Sequence, residues 1–536
     1  MDVAPSAYAY PLLVRHLLHT PLATAATQEI VYRDRRRHDY IEFRRRIGRL
    51  ASVLAGQGVG HGTTVAFMDW DSHRYLEAFF AVPMLGAVLQ TVNVRLSPDQ
   101  IHYTLDHAGA EIVVVHADFV PLLADIRAKL PRVRACILIA DDAALDSMGI
   151  PFDGEYEALL AAADPNHPFH DFDENTRATT FYTSGTTGLP KGVHFSHRQL
   201  VLHTLSAALA YSAAPAASRL HRDDVYMPLT PMFHVHAWGI PYIATLLGLK
   251  QVYPGRYVPA TICKLIAGEG VTFSHCVPTV LQMVLAAAEN TDLSGWKVVI
   301  GGSAFPRGLA AAALARGIDV FAGYGMSETG PLLTLTRAIA DPDLEAQTAA
   351  RTRTGFPIPL VDLRTVDADG VPTPRDGQTS GEVVVRAPWL TQGYTQNPAA
   401  SATLWSGGYL HTGDIGTLDD AGCLRITDRL KDVIKTGGEW ISSLDLESLI
   451  SQHPSVSEAA VVGVPDEKWG ERPRALVVLK PGHAPDPEAL RAWVGQAAAE
   501  GRISRYAVPE AIDFVAELPR TSVGKLDKKL MRQRLA

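Results

Sequence analysis

The sequence predicts a multi-domain α/β protein, with a large N-terminal part followed by a small α+β domain. Three observations carry that expectation. The chain has 536 residues, more than one hydrophobic core organises. Its first half alternates helical and strand patterns, the signature of layered α/β structure with largely parallel strands. Its texture changes near Ile426, where a short charge-rich segment leads into a compact pattern about a hundred residues long, enough for a separate small domain.

Phe43, Ile47, Leu50 and Leu54 recur at spacings of four, three and four, which puts them on one helix face. Gly56-Gln57-Gly58 ends that helix. Thr64–Met68 follows as a short strand, His73–Leu85 as a helix, Val88–Val92 as an extended segment and Ile112–Val115 as a buried strand. The Ala-rich stretches Ala158–Ala163 and Ala310–Ala315 suit closely packed helices, and no fixed-period repeat is present. Beyond Ile426, strands are expected at Ala459–Val464 and Ala475–Lys480, a helix at Leu490–Glu500, and a tail carrying Gly524-Lys525. The boundary is expected at Arg429–Lys431, dividing residues 1–429 from 430–536.

With 47% hydrophobic and 20% charged residues, the composition is that of a soluble globular protein. A net charge of −8 argues against a protein that coats nucleic acid, which demands a basic face. A small polyanionic ligand stays open, because a local site of backbone N–H groups suffices. Cys136, Cys263, Cys276 and Cys423 form no C-x-x-C pair, so neither a zinc ribbon nor a disulfide framework is indicated. Buried cysteines of this kind fit a reducing cytoplasm. The N-terminus lacks a basic start followed by an apolar run, and is not expected to be a signal peptide. The apolar stretches Ala78–Leu89 and Ala237–Leu249 contain Gly or Pro and are too short to span a bilayer.

The strongest local signal runs from Tyr182 to Gly192: Thr183, Ser184, Gly185, Thr186, Thr187, Gly188, then Pro190-Lys191-Gly192. Glycines let backbone N–H groups approach a phosphate chain, hydroxyls add donors, and Lys191 adds charge. The P-loop pattern G-x-x-x-x-G-K-S/T is not satisfied, and neither G-x-G-x-x-G nor G-x-S-x-G stands at a plausible place. Tyr324 is an aromatic in a Gly-rich turn and suits stacking on a base. Glu328 offers the anionic oxygen that a magnesium ion on phosphates needs. Asp414 follows a glycine in a short turn, where its carboxylate suits paired hydroxyls. His234 and His236 form an H-x-H pair, which on a strand would put both rings on one face, though no third metal ligand is evident.

YTSGTTGLPKGV resembles the signature loop of the adenylate-forming superfamily, which includes acyl-CoA synthetases, luciferases and peptide-synthetase adenylation domains. Six further motifs agree in order across nearly the whole chain: PMFHVHAW (231–238), GGSA (301–304), YGMSETG (324–330), YLHTGD (409–414), TDRLKDVIKTGGEWIS (427–442) and PRTSVGK (519–525). The resemblance implies an N-terminal domain of two α/β sheet subdomains and a distorted β-barrel, with a small mobile C-terminal lid hinged near Lys431. It implies ATP, Mg²⁺ and coenzyme A as co-substrates and cofactor, and a small carboxylic acid as substrate. It assigns the loop from Thr183 to Lys191 to the ATP phosphates. Tyr324, Gly325, Met326 and Ser327, with Gly302, Ser303 and Ala304, fall to the adenine side. Asp414 falls to the ribose, Arg429 to the ribose and phosphate region, and Glu328 with Ser184 to the metal. Lys525 carries the adenylation step, where a cation offsets charge building between two anions. His234 lies against the acid carboxylate and the α-phosphate. Trp238, Gly302 and Gly323 line the acyl pocket, with Trp238 as its gate. Lys435, Gly437 and Gly438 serve the thioester step, because adjacent glycines leave a groove without side chains for a pantetheine arm. Arg472 and Arg474 are the basic candidates for the CoA 3′-phosphate.

PMFHVHAW and TGGEWIS resemble the medium- to long-chain fatty acyl branch most. An aryl or cyclic acid is an alternative, as is an adenylating enzyme that loads a carrier-protein thiol or a non-catalytic binding relative. No carrier domain follows Lys525, and every catalytic position is filled, which disfavours the last two. Nucleic acid is not an expected partner; a homodimer is compatible with the resemblance.

Overall fold

The computed structural model describes residues 2–141, 147–183, 189–214, 219–288, 291–337, 343–436, 439–521 and 525–535. Two α/β sheets organise the N-terminal part. The first has seven strands in the order Gly154–Glu155, Ala135–Ile139, Ala110–His116, Thr64–Met68, Val88–Thr91, Arg177–Tyr182 and Gly192–Ser196. All its neighbours run parallel except the last two, which form an antiparallel pair. The second has nine strands and a parallel centre built from Glu29–Tyr32, Lys250–Tyr253, Val225–Leu229, Phe273–Cys276, Lys297–Ile300 and Asp319–Gly325. Parallel strands buried on both faces read as continuous apolar runs, and all five residues of Thr64–Met68 are buried.

The helix Tyr40–Gly56 shows how local chemistry builds this frame. Asp39 caps it by accepting from Glu42 N at 2.8 Å. Phe43, Ile47, Leu50 and Leu54 all point inward and are at most 1% exposed, as their spacing predicts.

A five-stranded antiparallel sheet follows: Asp362–Val366, Gly381–Arg386, Tyr409–Leu418 and Trp405–Ser406, with Leu424–Arg429 paired on Tyr409–Leu418. It forms a half-barrel rather than a closed barrel. The last five-stranded sheet takes Ile434–Thr436, Glu439–Ile441, Val456–Asp466, Gly470–Leu479 and Ala511–Phe514. Helices Ser443–Ser451 and Pro487–Ala499 cover this sheet around a separate small core. The half-barrel ends at Arg429 and the last sheet begins at Ile434, so Lys431 lies between them. Among the described residues, no helix is long and apolar enough to cross a membrane.

Candidate active site

In open parallel sheets, ligands gather beyond the carboxyl ends of the strands. The motifs of the nine-stranded sheet sit there: Pro231–Trp238 follows Val225–Leu229, Gly301–Ala304 follows Lys297–Ile300, and Met326–Glu328 follows Asp319–Gly325. Two cavities meet at this edge. One is a cleft of about 1490 Å³ between the N-terminal part and the small domain. Gly302, Ser303, Ala304, Tyr324, Gly325, Met326, Asp414, Arg429 and Lys525 all line it. The other is a small, mostly apolar cavity of about 30 Å³, lined by His234, Trp238, Gly323, Ser327 and Tyr211 among others. Gly302, Tyr324 and Lys525 belong to both linings, so the two are continuous.

The glycines are there to leave room. A Cβ on Gly302 would lie 3.2 Å from Val277 Cγ1, 3.6 Å from Lys525 Cε and 3.7 Å from Trp238 Cζ2. A Cβ on Gly325 would fall 1.7 Å from Pro331 O, a hard backbone clash. Gly323 packs against Val299 and Leu332 on the floor of the small cavity.

Tyr324 donates its hydroxyl to Asp414 Oδ2 at 2.7 Å, and Arg429 Nε stands 3.4 Å from Asp414 Oδ1. Burial, then the Asp414 charge, holds the Tyr324 hydroxyl far above the usual phenol range. A carboxylate has about four lone-pair sites, so Asp414 keeps capacity for two further hydroxyls. Lys525 lines both cavities. Burial, then Arg429, lowers its pKa to about 8.

The segment Val235–Trp238 departs from the strand that the H-x-H spacing suggests. Val235, His236, Ala237 and Trp238 all have φ between 44° and 59°, a left-handed turn of non-glycine residues. Each such residue costs roughly 1–2 kcal/mol. The turn sends the two histidines apart. His236 is fully buried among Phe79, Phe181, Phe195 and Tyr242, and neither ring nitrogen has a hydrogen-bond partner among the described residues. His234 stays at the cavity, where burial, then Lys525, lowers its pKa to about 3, so its imidazole is neutral at pH 7. Among the described residues, the pair belongs to no group of three His, Cys, Asp or Glu that could hold a metal. The turn also lays Trp238 over the glycines and against His275, with ring centroids 5.1 Å apart.

Support for this loop comes from residues with no legible motif. Asp71 accepts from Met232 N at 2.8 Å and from the Tyr257 hydroxyl at 2.5 Å. Thr91 Oγ1 donates to Phe233 O at 2.9 Å. His275 pairs with the Tyr226 hydroxyl at 2.8 Å beneath Trp238. Tyr394 was likewise missed: its hydroxyl donates to Glu328 Oε1 at 2.7 Å, and Lys191 Nζ lies 4.7 Å from its ring centroid. Glu328 is 6% exposed.

The two ends of the Thr183–Lys191 segment are joined by Thr183 N to Lys191 O at 3.0 Å and Lys191 N to Thr183 Oγ1 at 3.2 Å. Ser184, Gly185, Thr186, Thr187 and Gly188 lie outside the described residues, as do Gly437 and Gly438. Lys435 is exposed on Ile434–Thr436 and lines neither cavity. The candidates for the CoA phosphate are otherwise engaged. Arg474 makes a two-pronged pair with Asp513 at 2.7 and 3.1 Å, and Arg472 donates to Tyr506 O and Val508 O, both at 3.3 Å. Both arginines therefore brace the small domain.

The model of the AMP-binding enzyme family matches residues 17–395, and that of the AMP-binding enzyme C-terminal domain matches residues 445–525. The chain is 42% identical over 508 residues to a long-chain-fatty-acid–CoA ligase of Thermus thermophilus, covering 93% of this chain and 90% of the relative. It is 37% identical over 507 residues to a medium-chain-fatty-acid–CoA ligase of Ectopseudomonas oleovorans, covering 92% and 89%. Among solved structures, the anthranilate CoA ligase AuaEII in complex with anthranoyl-AMP aligns with a TM-score of 0.86 at 25% identity, covering 98% of both chains. With its motifs in order, its lysine at the junction of two cavities and these likenesses, the chain belongs to the AMP-binding enzyme family of the adenylate-forming superfamily, on the side of the fatty acyl-CoA synthetases.

Proposed function

We propose that the chain activates a medium- to long-chain fatty acid with ATP and passes the acyl group to coenzyme A. The reaction class is that of an AMP-forming acid–CoA ligase working through an acyl-adenylate. A carboxylate oxygen attacks the α-phosphorus of ATP and pyrophosphate leaves. The CoA sulfur then attacks the acyl carbonyl, the thiol proton is released, and AMP departs with one carboxylate oxygen. The anhydride is needed because a free carboxylate is a poor electrophile. The observation that carries this reading is the meeting of the large cleft, the small cavity and Lys525 at Gly302.

In this reading the adenine rests by Tyr324 and Gly302–Ala304, the ribose on Asp414, and the phosphates between Arg429 and the Thr183–Lys191 loop. Lys525 reaches the α-phosphate and the carboxylate. His234, being neutral, orients the acid through a hydrogen bond and not through charge. Glu328 fits a magnesium ion: its carboxylate is a hard ligand, and among the described residues its Oε2 receives no hydrogen bond. Among the described residues, no group of three His, Cys, Asp or Glu could hold a metal by itself, so an ion here would take most ligands from phosphate and water. When bound, magnesium supplies charge neutralisation on the phosphates. The four cysteines are buried and free, which supports the cytoplasm as the compartment.

The adenylate route is tested with ¹⁸O-labelled carboxylate. The expected result is one labelled oxygen in AMP. Label recovered in inorganic phosphate together with ADP would overturn it.

The small cavity, about 30 Å³, holds roughly one water, far less than an acyl chain. Trp238 is the side chain whose displacement would open it. Trp238→Ala is therefore expected to shift the chain-length profile toward longer acids and raise their turnover, measured across an acid series. An unchanged profile with a lower Tm would assign Trp238 to packing alone, where burying a tryptophan contributes about 3–5 kcal/mol. An aryl acid is the second reading, favoured by the likeness to the anthranilate ligase, and benzoate in the same series separates the two.

A further inference from the structure

We propose that Tyr394 is a positioning residue for adenylation, holding the Glu328 carboxylate ready for the cation that accompanies ATP while parking the Lys191 ammonium on its ring. The proposal rests on the reading of Glu328 given above. Tyr394 lies in a strap, residues 389–395, that joins two loops of the site. At one end Thr391 N donates to Glu328 O at 3.0 Å and Trp389 Nε1 to Thr329 O at 2.9 Å. Toward the Lys191 loop, Thr395 N donates to Gly192 O at 2.8 Å and Thr391 Oγ1 to His194 O at 3.0 Å. Tyr394 touches both functional side chains, Glu328 through its hydroxyl and Lys191 through its ring face.

The charge arrangement explains the choice of residue. A buried carboxylate needs a hydrogen-bond donor, or its ionised form becomes costly. A phenol provides the donor without neutralising the charge, and Tyr394 Oη donates to Glu328 Oε1 at 2.7 Å. Glu328 is thus anchored through Oε1, and among the described residues its Oε2 receives no hydrogen bond. An ammonium over an aromatic face is stabilised while its three N–H donors stay available to phosphate. A direct Lys191–Glu328 pair would instead cancel both charges before ATP arrived.

Calorimetric binding of ATP to the full-length chain, with and without Mg²⁺, tests this. Tyr394→Phe keeps the ring and removes the hydroxyl. It is expected to weaken Mg·ATP by about tenfold and to raise the half-saturating Mg²⁺ for single-turnover adenylation similarly, as losing the partner of a metal ligand does, while metal-free ATP binding stays within about twofold. Tyr394→Leu removes the ring as well and is expected to weaken metal-free ATP too. If the Phe variant weakens both forms of ATP equally, or neither, the proposal is overturned and the tyrosine is merely structural. Glu328→Gln separates the two claims. If it leaves the Mg²⁺ requirement unchanged, the reading of Glu328 fails; if it raises the requirement and Tyr394→Phe does not, the Tyr394 proposal alone fails.

Discussion

Lys431→Pro is expected to form acyl-AMP at a near-normal rate in a single turnover, yet to make the CoA thioester orders of magnitude more slowly. Two lysines of the small domain lie in different places. Lys525 lines the junction of both cavities, whereas Lys435 sits on the same small domain, exposed and lining neither. If Lys435 serves the CoA step, a different face of that domain must come to the same opening. We place the hinge for this rotation at Lys431, between the end of the half-barrel at Arg429 and the start of the last sheet at Ile434. The present orientation is held by bonds that straddle Lys431. Ser443 N and Oγ donate to Asp428 Oδ2 and Oδ1 at 2.6 and 3.0 Å, and Ser442 Oγ donates to Thr427 O at 2.5 Å. Arg425 pairs with Asp445 at 2.5 Å. These contacts favour the orientation that brings Lys525 in, so a hinge that cannot turn should be trapped there. Proline fixes φ near −65° and removes an N–H, which restricts the turn. Rapid-quench measurement of each half-reaction reads the outcome. Survival of both halves, or loss of both in a folded protein, would contradict a two-orientation mechanism.

Lys525→Ala is expected to slow acyl-AMP formation by about 10²–10³-fold, roughly 3–4 kcal/mol, the loss of one oriented transition-state donor. Preformed acyl-AMP should largely restore thioester formation, because the charge that Lys525 offsets builds only in the first half-reaction. The pH dependence has a defined sign. Burial, then Arg429, lowers the lysine to about 8, so it is charged below that pH and neutral above it. The kcat/KM for ATP reports the free enzyme and is expected to fall as pH rises through about 8. That limb should vanish in the alanine variant. A lowered pKa also means that the charged form costs folding stability, and this cost fades as pH rises through about 8 toward the ordinary lysine value. At pH 7 the alanine variant should therefore lose no stability from the charge itself. An equal fall in both half-reactions, or an unchanged pH limb, would remove Lys525 from this role.

The parts of the fold that follow local rules were legible in the sequence. Thr64–Met68 is a strand with the expected bounds, because a buried parallel strand is a short continuous apolar run. Phe43, Ile47, Leu50 and Leu54 share a buried helix face because their spacing matches the helical period. Several residues that line the cleft, among them Gly302, Tyr324, Asp414 and Lys525, could be singled out in the sequence because they stand in recognisable clusters of glycines, hydroxyls and charges. What tertiary packing decides was not. Val235-His236-Ala237-Trp238 contains no glycine, and nothing in its residues forecasts four consecutive positive φ angles. The turn is held from outside, by Asp71 on Met232 N and Thr91 on Phe233 O, more than a hundred positions away in the chain. Tyr394 was invisible for the same reason: its partners, Glu328 and Lys191, meet it only in three dimensions. Arg472 and Arg474 looked like phosphate ligands by charge, but Asp513 and two carbonyls claim them.

This chain is expected to join an acid to CoA as ATP is cleaved to AMP. The decisive experiment measures AMP and acyl-CoA formed from ATP, CoA and a series of acids from acetate to stearate, with benzoate included. Equal amounts of AMP and acyl-CoA are expected, dependent on both acid and CoA, with the highest kcat/KM among the medium- to long-chain fatty acids. ADP in place of AMP, or AMP without any CoA thioester across the whole series, would contradict it.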